Sequence, residues 1–240
     1  MLRVGENINV RWLPQNIDPA ETRAIKRLIL RFRGETLFAT GLIFVEGVTE
    51  EQLIRGMFQA YFGDDPSAFG ISIIGVDGKS YAPFLTLALS LRKPFCIISD
   101  NDGDARHVVL KQLSDVERRL HYSAKENKSG VFFLSPGLAM EGELVYKTQL
   151  KREIFDALWA CNASPNTSVK SKRLQYERMA AMTPRELKRK LEKKKAEYSG
   201  FLGDIIAQNP YSQPIENLLP QAIRAAFEEI SHWLGNKQGN

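Results

Sequence analysis

The chain has 240 residues, 43% of them hydrophobic, and carries a formal net charge of +5 with a pI near 9.1. That is enough apolar material for one or two compact domains, and no apolar run reaches the roughly 18–20 residues that a membrane span needs. Charges interrupt the N-terminal "MLRVGENINVRWLPQ", where a secretory signal would be apolar, and two cysteines, Cys96 and Cys161, make neither a disulfide framework nor a CxxC metal site, so a cytoplasmic location is expected.

Residues 19–33, "PAETRAIKRLILRFR", have helical periodicity and a basic outer face, and residues 1–38 as a whole read as a helical, basic linker. "GLIFVEG" (41–47) is a short apolar strand ending in Glu46. A helix follows over "VTEEQLIRGMFQAYFG", with Thr49 as its expected N-cap and Leu53, Ile54, Met57, Phe58 and Tyr61 on one face. Strands over 71–78, 94–100 and 130–137 alternate with helices over 80–93 and 103–122. This β-α-β-α-β-α-β order with short connections predicts an α/β fold, a four-stranded parallel sheet flanked by helices, over residues 39–140. In such sheets ligands bind at the carboxyl ends of the strands, where Glu46, Asp77, Asp100 and Asp102 all lie.

Beyond residue 140 the strand signals stop, and 141–240 reads as a mostly helical, basic subdomain. Helices are expected over 143–160 and 172–182. At Thr183 the pattern "TPRE" combines an N-cap, Pro at the first helical position and Glu three after the cap, and opens a lysine-rich helix. "NPYSQP" breaks the chain near 210, and "NLLPQAIRAAFEEISHWLG" closes it as an amphipathic helix. Residues 169–199 carry eleven Lys and Arg against four Glu. A basic segment beside an acidic site suits an enzyme acting on a polyanion, although a solvated helix has the same composition.

Two tempting motifs fail on their own chemistry, and a third is kept as a rival. "GVDGKS" lacks the P-loop's first glycine, because position 73 is Ile. "DNDGDA" starts like an EF-hand, but Ala105 stands at the obligatory glycine and Lys111 at the bidentate glutamate. The DxDG of a haloacid-dehalogenase phosphatase is matched in part, with Asp104 at its last position and the motif on the third strand instead of the first. The three histidines, His107, His121 and His232, have no metal-ligand spacing. Hydrolytic chemistry would therefore run on carboxylates and metal. "FCIISDNDGD" places Asp100 and Asp102 at a strand tip; Glu46 and Glu50 lie one helical turn apart; Glu141 and Glu143 repeat the alternate spacing in "AMEGEL". Oxygen donors of this kind select Mg²⁺ or Mn²⁺, and five or six carboxylates suit two ions around a phosphate.

"FVEGVTEE" followed by "ISDNDGD" resembles a Toprim domain, the fold shared by topoisomerases, bacterial primases, recombination proteins and the overcoming-lysogenization-defect (OLD) nucleases. "RFRGETLFATGLIFVEGVTEEQLI" (31–54) is similar to the passage from ATPase domain to Toprim domain in the OLD family, and the likeness extends over roughly residues 31–120. The resemblance implies that Glu46, Glu50, Asp100 and Asp102 bind two metal ions, with Glu141-Gly142-Glu143 standing where the family has a D-L-E motif. It implies a phosphate-side lysine in a C-terminal helix, for which Lys195 in "KKKAEYSG" is the nearest match. It further implies a metal-dependent DNA endonuclease with catalytic Glu46, Asp100, Asp102 and Lys195. DNA would be held by Lys and Arg of 169–195, and an ABC-type ATPase domain, for which this chain has no Walker motif, would be its partner. A non-catalytic DNA-binding Toprim module, a Toprim topoisomerase with Tyr81 or Tyr146 as its nucleophile, a primase-like enzyme and the phosphatase remain alternatives.

Overall fold

A computed structural model describes residues 2–4, 7–9, 11–14, 17–31, 34–162, 169–208 and 214–235. An antiparallel pair, β1 (Leu2–Val4) and β2 (Asn7–Asn9), precedes the first helices, α1 (Pro19–Arg31) and α2 (Glu35–Phe38). The sequence reading has no strand there, because three-residue segments are too short to display a period. Asp18 caps α1, its Oδ1 accepting from the Ala20 N–H at 2.6 Å. The expected basic outer face is present, with Arg23, Lys26 and Arg27 exposed.

The central unit is β3 (Gly41–Val45), α3 (Val48–Phe62), β4 (Ile71–Gly75), α4 (Ala82–Ser90), β5 (Phe95–Ser99), α5 (Ala105–Leu120) and β6 (Gly130–Phe133). The four strands are parallel, in the order β4-β3-β5-β6. Their residues alternate between two cores, as a two-residue period requires. Ile43, Val45, Ile73, Cys96 and Ile98 face one side; Leu42, Phe44, Ile74, Phe95 and Ile97 face the other. The second side is covered by α1, α4 and α5. Arg119 of α5 fastens α1 there through two bonds to Glu21, at 2.6 and 2.7 Å.

The first side is covered by α3 and by the C-terminal helices α6 (Met140–Lys147), α7 (Lys151–Ala160), α8 (Val169–Ala180), α9 (Pro184–Glu192), α10 (Lys195–Gln208) and α11 (Gln221–Gly235). Four of these are the halves of what the sequence reads as two helices. At Thr148 the hydroxyl donates to the Leu144 carbonyl at 2.6 Å and accepts from Leu150 N–H at 3.3 Å, ending α6 and restarting the chain as α7. The lysine-rich helix likewise breaks at Lys193–Lys194 into α9 and α10. The Thr183 capping box is formed, with Glu186 N–H to Thr183 Oγ1 at 3.3 Å and Thr183 N–H to Glu186 Oε2 at 2.8 Å. α10 packs against α3 through two glycines, where a Cβ on Gly56 would sit 2.1 Å from the Gly203 carbonyl oxygen.

Candidate metal and phosphate site

The carboxyl ends of β3 and β5 are adjacent, which brings Glu46 beside Asp100. Immediately after β3 the chain turns into α3, whose N-cap is Gly47 and not the expected Thr49, which is buried inside the first turn. Glu50 sits in the first turn of α3. One of its oxygens accepts from the Gly47 N–H at 3.0 Å, so its carboxylate is held against the tip of β3. Glu51, next to it, points the other way and accepts from the Gly75 N–H at 3.2 Å, tying down the end of β4. Asp104 is also drawn out of the cluster, to Lys79 at 2.9 Å.

Asp100 closes β5, is 9% exposed, and accepts from the Met140 N–H at 3.1 Å, which docks the start of α6 onto the strand tip. Burial and then the charges of Glu50, Glu46, Asp102 and Glu141 push its carboxyl up to about 8. Glu50 is raised for the same reasons, burial first, with Glu141 and Glu46 adding to it against an opposing bond from its own backbone N–H and the charge of Lys195. Glu46, Glu50, Asp100, Asp102 and Glu141 therefore form one electrostatic unit with excess negative charge.

Glu141 and Glu143 do not act as a pair. In an extended segment a spacing of two aims side chains the same way, but both residues lie in the first turn of α6, where two steps rotate by about 200°. Glu141 is 1% exposed and faces the acid cluster. Glu143 turns back to Ser135, accepting from its N–H at 3.0 Å and its hydroxyl at 3.1 Å. Its oxygens brace the β6–α6 loop.

Across from the acids stands the start of α10. Lys195 Nζ lies 3.8 Å from Glu141 Oε1, while the neighbouring Lys194 pairs outward with Glu197 at 2.9 Å. Burial pulls the Lys195 ammonium down, but Glu141, Glu50, Asp100 and Glu46 together outweigh it and hold the proton more tightly than usual. One turn on, Tyr198 is fully buried and its hydroxyl reaches Glu141 Oε1 at 3.4 Å. Sequence reasoning passes over Tyr198, although its place three residues after Lys195 puts it on the same face. It also passes over Lys79, on the loop after β4, which lies in the field of Glu46 and Asp102 as well as of Asp104. Tyr81 is fully buried and Tyr146 is 45% exposed on α6. Asp77, at the end of β4, adopts a left-handed backbone with φ of 57°.

Among the described residues no three His, Cys, Asp or Glu side chains converge into a ready-made metal cage. The donor chemistry nevertheless fits a hard divalent cation. All the candidate ligands are carboxylates, they come from the tips of two adjacent strands and the first turns of two helices, and Lys195 offsets their charge only in part.

A parallel four-stranded sheet with a glutamate ending one inner strand and a DxD motif ending its neighbour defines a Toprim-type α/β domain. Residues 37–102 match the family model for the TOPRIM domain of overcoming-lysogenization-defect-like proteins. The chain is similar to the C-terminal region of the Burkholderia pseudomallei OLD protein, at 24% identity and a TM-score of 0.57, over 82% of this chain and 99% of that one. The C-terminal region of the Xanthomonas campestris pv. campestris OLD protein is similar at 18% identity and a TM-score of 0.56, over 85% and 98%. No curated protein is significantly similar to the chain. Residues 37–102 are thus an OLD-like TOPRIM domain, within a chain that has the fold of the OLD C-terminal region. No described helix is long and apolar enough to cross a membrane.

Proposed function

We propose that the chain is a metal-dependent DNA endonuclease, with Glu46, Glu50, Asp100, Asp102 and Glu141 holding Mg²⁺ or Mn²⁺, two ions in the working state. The observation that carries this reading is the gathering of five carboxylates at one end of the sheet, with Asp100 pushed up to about 8 by burial and by its neighbours' charge. Such an arrangement is costly unless a cation occupies it. Divalent ions bound there would supply an activated water and stabilise a leaving alkoxide. The protein's own part is to aim the oxygens. Gly47 N–H fixes Glu50, Met140 N–H fixes Asp100, and Tyr198 fixes Glu141. Glu143 is left out of the ligand set because Ser135 engages both its oxygens.

Lys195 would stabilise the charge that builds on the phosphate oxygens. Its proximity to Glu141 and its tightened proton support a cation that stays charged at working pH. DNA would lie along α8 and α9. Several bases there are already paired, Lys172 with Asp156, Arg173 with Glu177 and Lys188 with Glu192. Arg178, Arg185, Arg189, Lys190 and Lys193 have no ion-pair partner among the described residues and are the candidates for phosphate contact. In a full-length relative the partner would be an ATPase domain joined ahead of residues 1–38, with 39–140 as the catalytic domain and 141–240 as the basic helical subdomain.

The test is supercoiled plasmid incubated with EDTA, Mg²⁺, Mn²⁺ or Ca²⁺, wild type beside Asp100→Ala. Nicked or linear product is expected with Mg²⁺ or Mn²⁺ and only with Asp100 intact. Equal cutting by Asp100→Ala would sink the assignment. DNA retardation without any cleavage would favour a binding module.

A further inference from the structure

We propose that Tyr81 is a positioning residue for the acid cluster, its hydroxyl donating to water held beneath the carboxylates at the ends of β3 and β5. The inference rests on the metal-binding reading above and adds a residue that lies beneath the candidate ligands and outside their set.

Tyr81 is fully buried, and its hydroxyl finds no hydrogen-bond partner among the described residues. Leaving a buried hydroxyl unpaired costs about 1–3 kcal/mol, and a phenylalanine would fill the same space without that cost. The Ser99 hydroxyl lies beside the phenol, but it gives its own proton to the Asp100 carbonyl oxygen at 3.1 Å, and the pair does not meet hydrogen-bond geometry. An orphaned donor of this kind calls for an explanation.

Its surroundings supply one. Tyr81 stands at the N-terminus of α4, on the loop that leaves β4. That loop is stitched to the tip of β3, with Val76 N–H to the Val45 carbonyl and Gly78 N–H to the Glu46 carbonyl, both at 2.9 Å. On the far side Gln112 of α5 brackets the tyrosine. Its Nε2 donates to the Lys79 carbonyl at 2.6 Å and its Oε1 accepts from the Ala82 N–H at 2.9 Å. The backbone is thus gripped on both flanks of Tyr81, which holds the phenol beside Ser99, the last residue of β5, and in the field of Glu46 and Asp100. Burial, and after it the charges of Glu46, Asp100 and Glu50, hold its proton on, which keeps it a donor throughout the working pH range. A donor under a set of mutually repelling acceptors screens them and orients their lone pairs, the part that hydrogen bonds to metal ligands ordinarily play.

Mn²⁺ affinity, read by electron paramagnetic resonance, and thermal midpoint separate this role from plain packing. Three proteins are compared: wild type, Tyr81→Phe and Thr36→Val. Thr36 carries another buried, unpartnered hydroxyl, on α2 ahead of the amino end of β3. Tyr81→Phe is expected to keep or raise the metal-free midpoint yet bind Mn²⁺ on the order of 10-fold more weakly. Thr36→Val is expected to bind Mn²⁺ as wild type does. Undiminished Mn²⁺ binding by Tyr81→Phe would overturn the role of the hydroxyl and leave the metal reading intact, as would an equal loss in Thr36→Val. No Mn²⁺ binding by wild type would overturn both.

Discussion

Gly56 of α3 and Gly203 of α10 meet backbone to backbone, at a point where a Cβ on the first would lie 2.1 Å from the carbonyl oxygen of the second. The reverse contact is nearly as tight, since a Cβ on Gly203 would meet the Gln52 carbonyl oxygen at 2.6 Å. α3 carries Glu50 and α10 carries Lys195 and Tyr198, so this contact sets the spacing between acids and lysine. Gly203→Ala is expected to push the helices apart and cost about 3 kcal/mol, the upper range of overpacking. Urea unfolding gives the stability, and plasmid cleavage at a temperature where the variant is still folded should fall with it. An unchanged unfolding midpoint would show that the helices can slide apart freely.

The charged form of Asp100 is disfavoured where it stands in the metal-free protein. Its carboxyl is pushed up to about 8 by burial first and by Glu50, Glu46, Asp102 and Glu141 after it. A folded-state value above the ordinary one means that the protonated form favours folding. That contribution is fully present below the unfolded value, about 4, and is lost as pH rises through about 8. Asp100→Asn is therefore expected to raise the metal-free thermal midpoint, more at pH 8.5 than at pH 5, and to abolish the gain that Mn²⁺ gives wild type. A lower midpoint at pH 8.5 would contradict the charge repulsion on which the site reading rests.

Glu141 and Glu143 should separate cleanly. Glu141→Gln removes a charge from the cluster and is expected to weaken Mn²⁺ binding at least 10-fold or so with little loss of stability. Glu143→Gln disturbs the Ser135 contacts and is expected to cost about 1 kcal/mol while Mn²⁺ affinity holds. Titration calorimetry beside thermal melts reads both, and the opposite pattern would exchange their roles.

Lys195→Ala is expected to lower the cleavage rate on the order of 100-fold with DNA affinity nearly unchanged, whereas Lys194→Ala, which only breaks an outward pair with Glu197, should leave the rate within about twofold. Single-turnover rates on a nicked-circle assay distinguish them. By contrast, Arg185→Ala and Arg189→Ala are expected to weaken binding across all DNA sequences and to flatten its salt dependence by about one unit of log–log slope each.

Much of the fold is legible in the chain because it depends on local period. Ile43 and Val45 against Leu42 and Phe44 announce a strand buried on both faces, and the same alternation places Ile97 opposite Cys96 and Ile98. The strand–helix rhythm then requires a parallel sheet, and Asp100 and Asp102 fall at its carboxyl end without further information. Thr183 and Glu186 likewise state their cap in four residues. What the tertiary structure decided lies in contacts between distant segments. Glu141 rather than Glu143 joins the acids because α6 starts at Met140, docked by Asp100 forty residues away, and a helix turns the two side chains apart. Lys195, not Lys194, faces them because α10 begins at that residue and leans on α3 through Gly203. The loop that carries Tyr81 is held by Gln112 from another helix, a contact thirty residues away in the chain. Periodicity shows which face of an element is buried; what that face meets depends on how elements far apart in the chain dock.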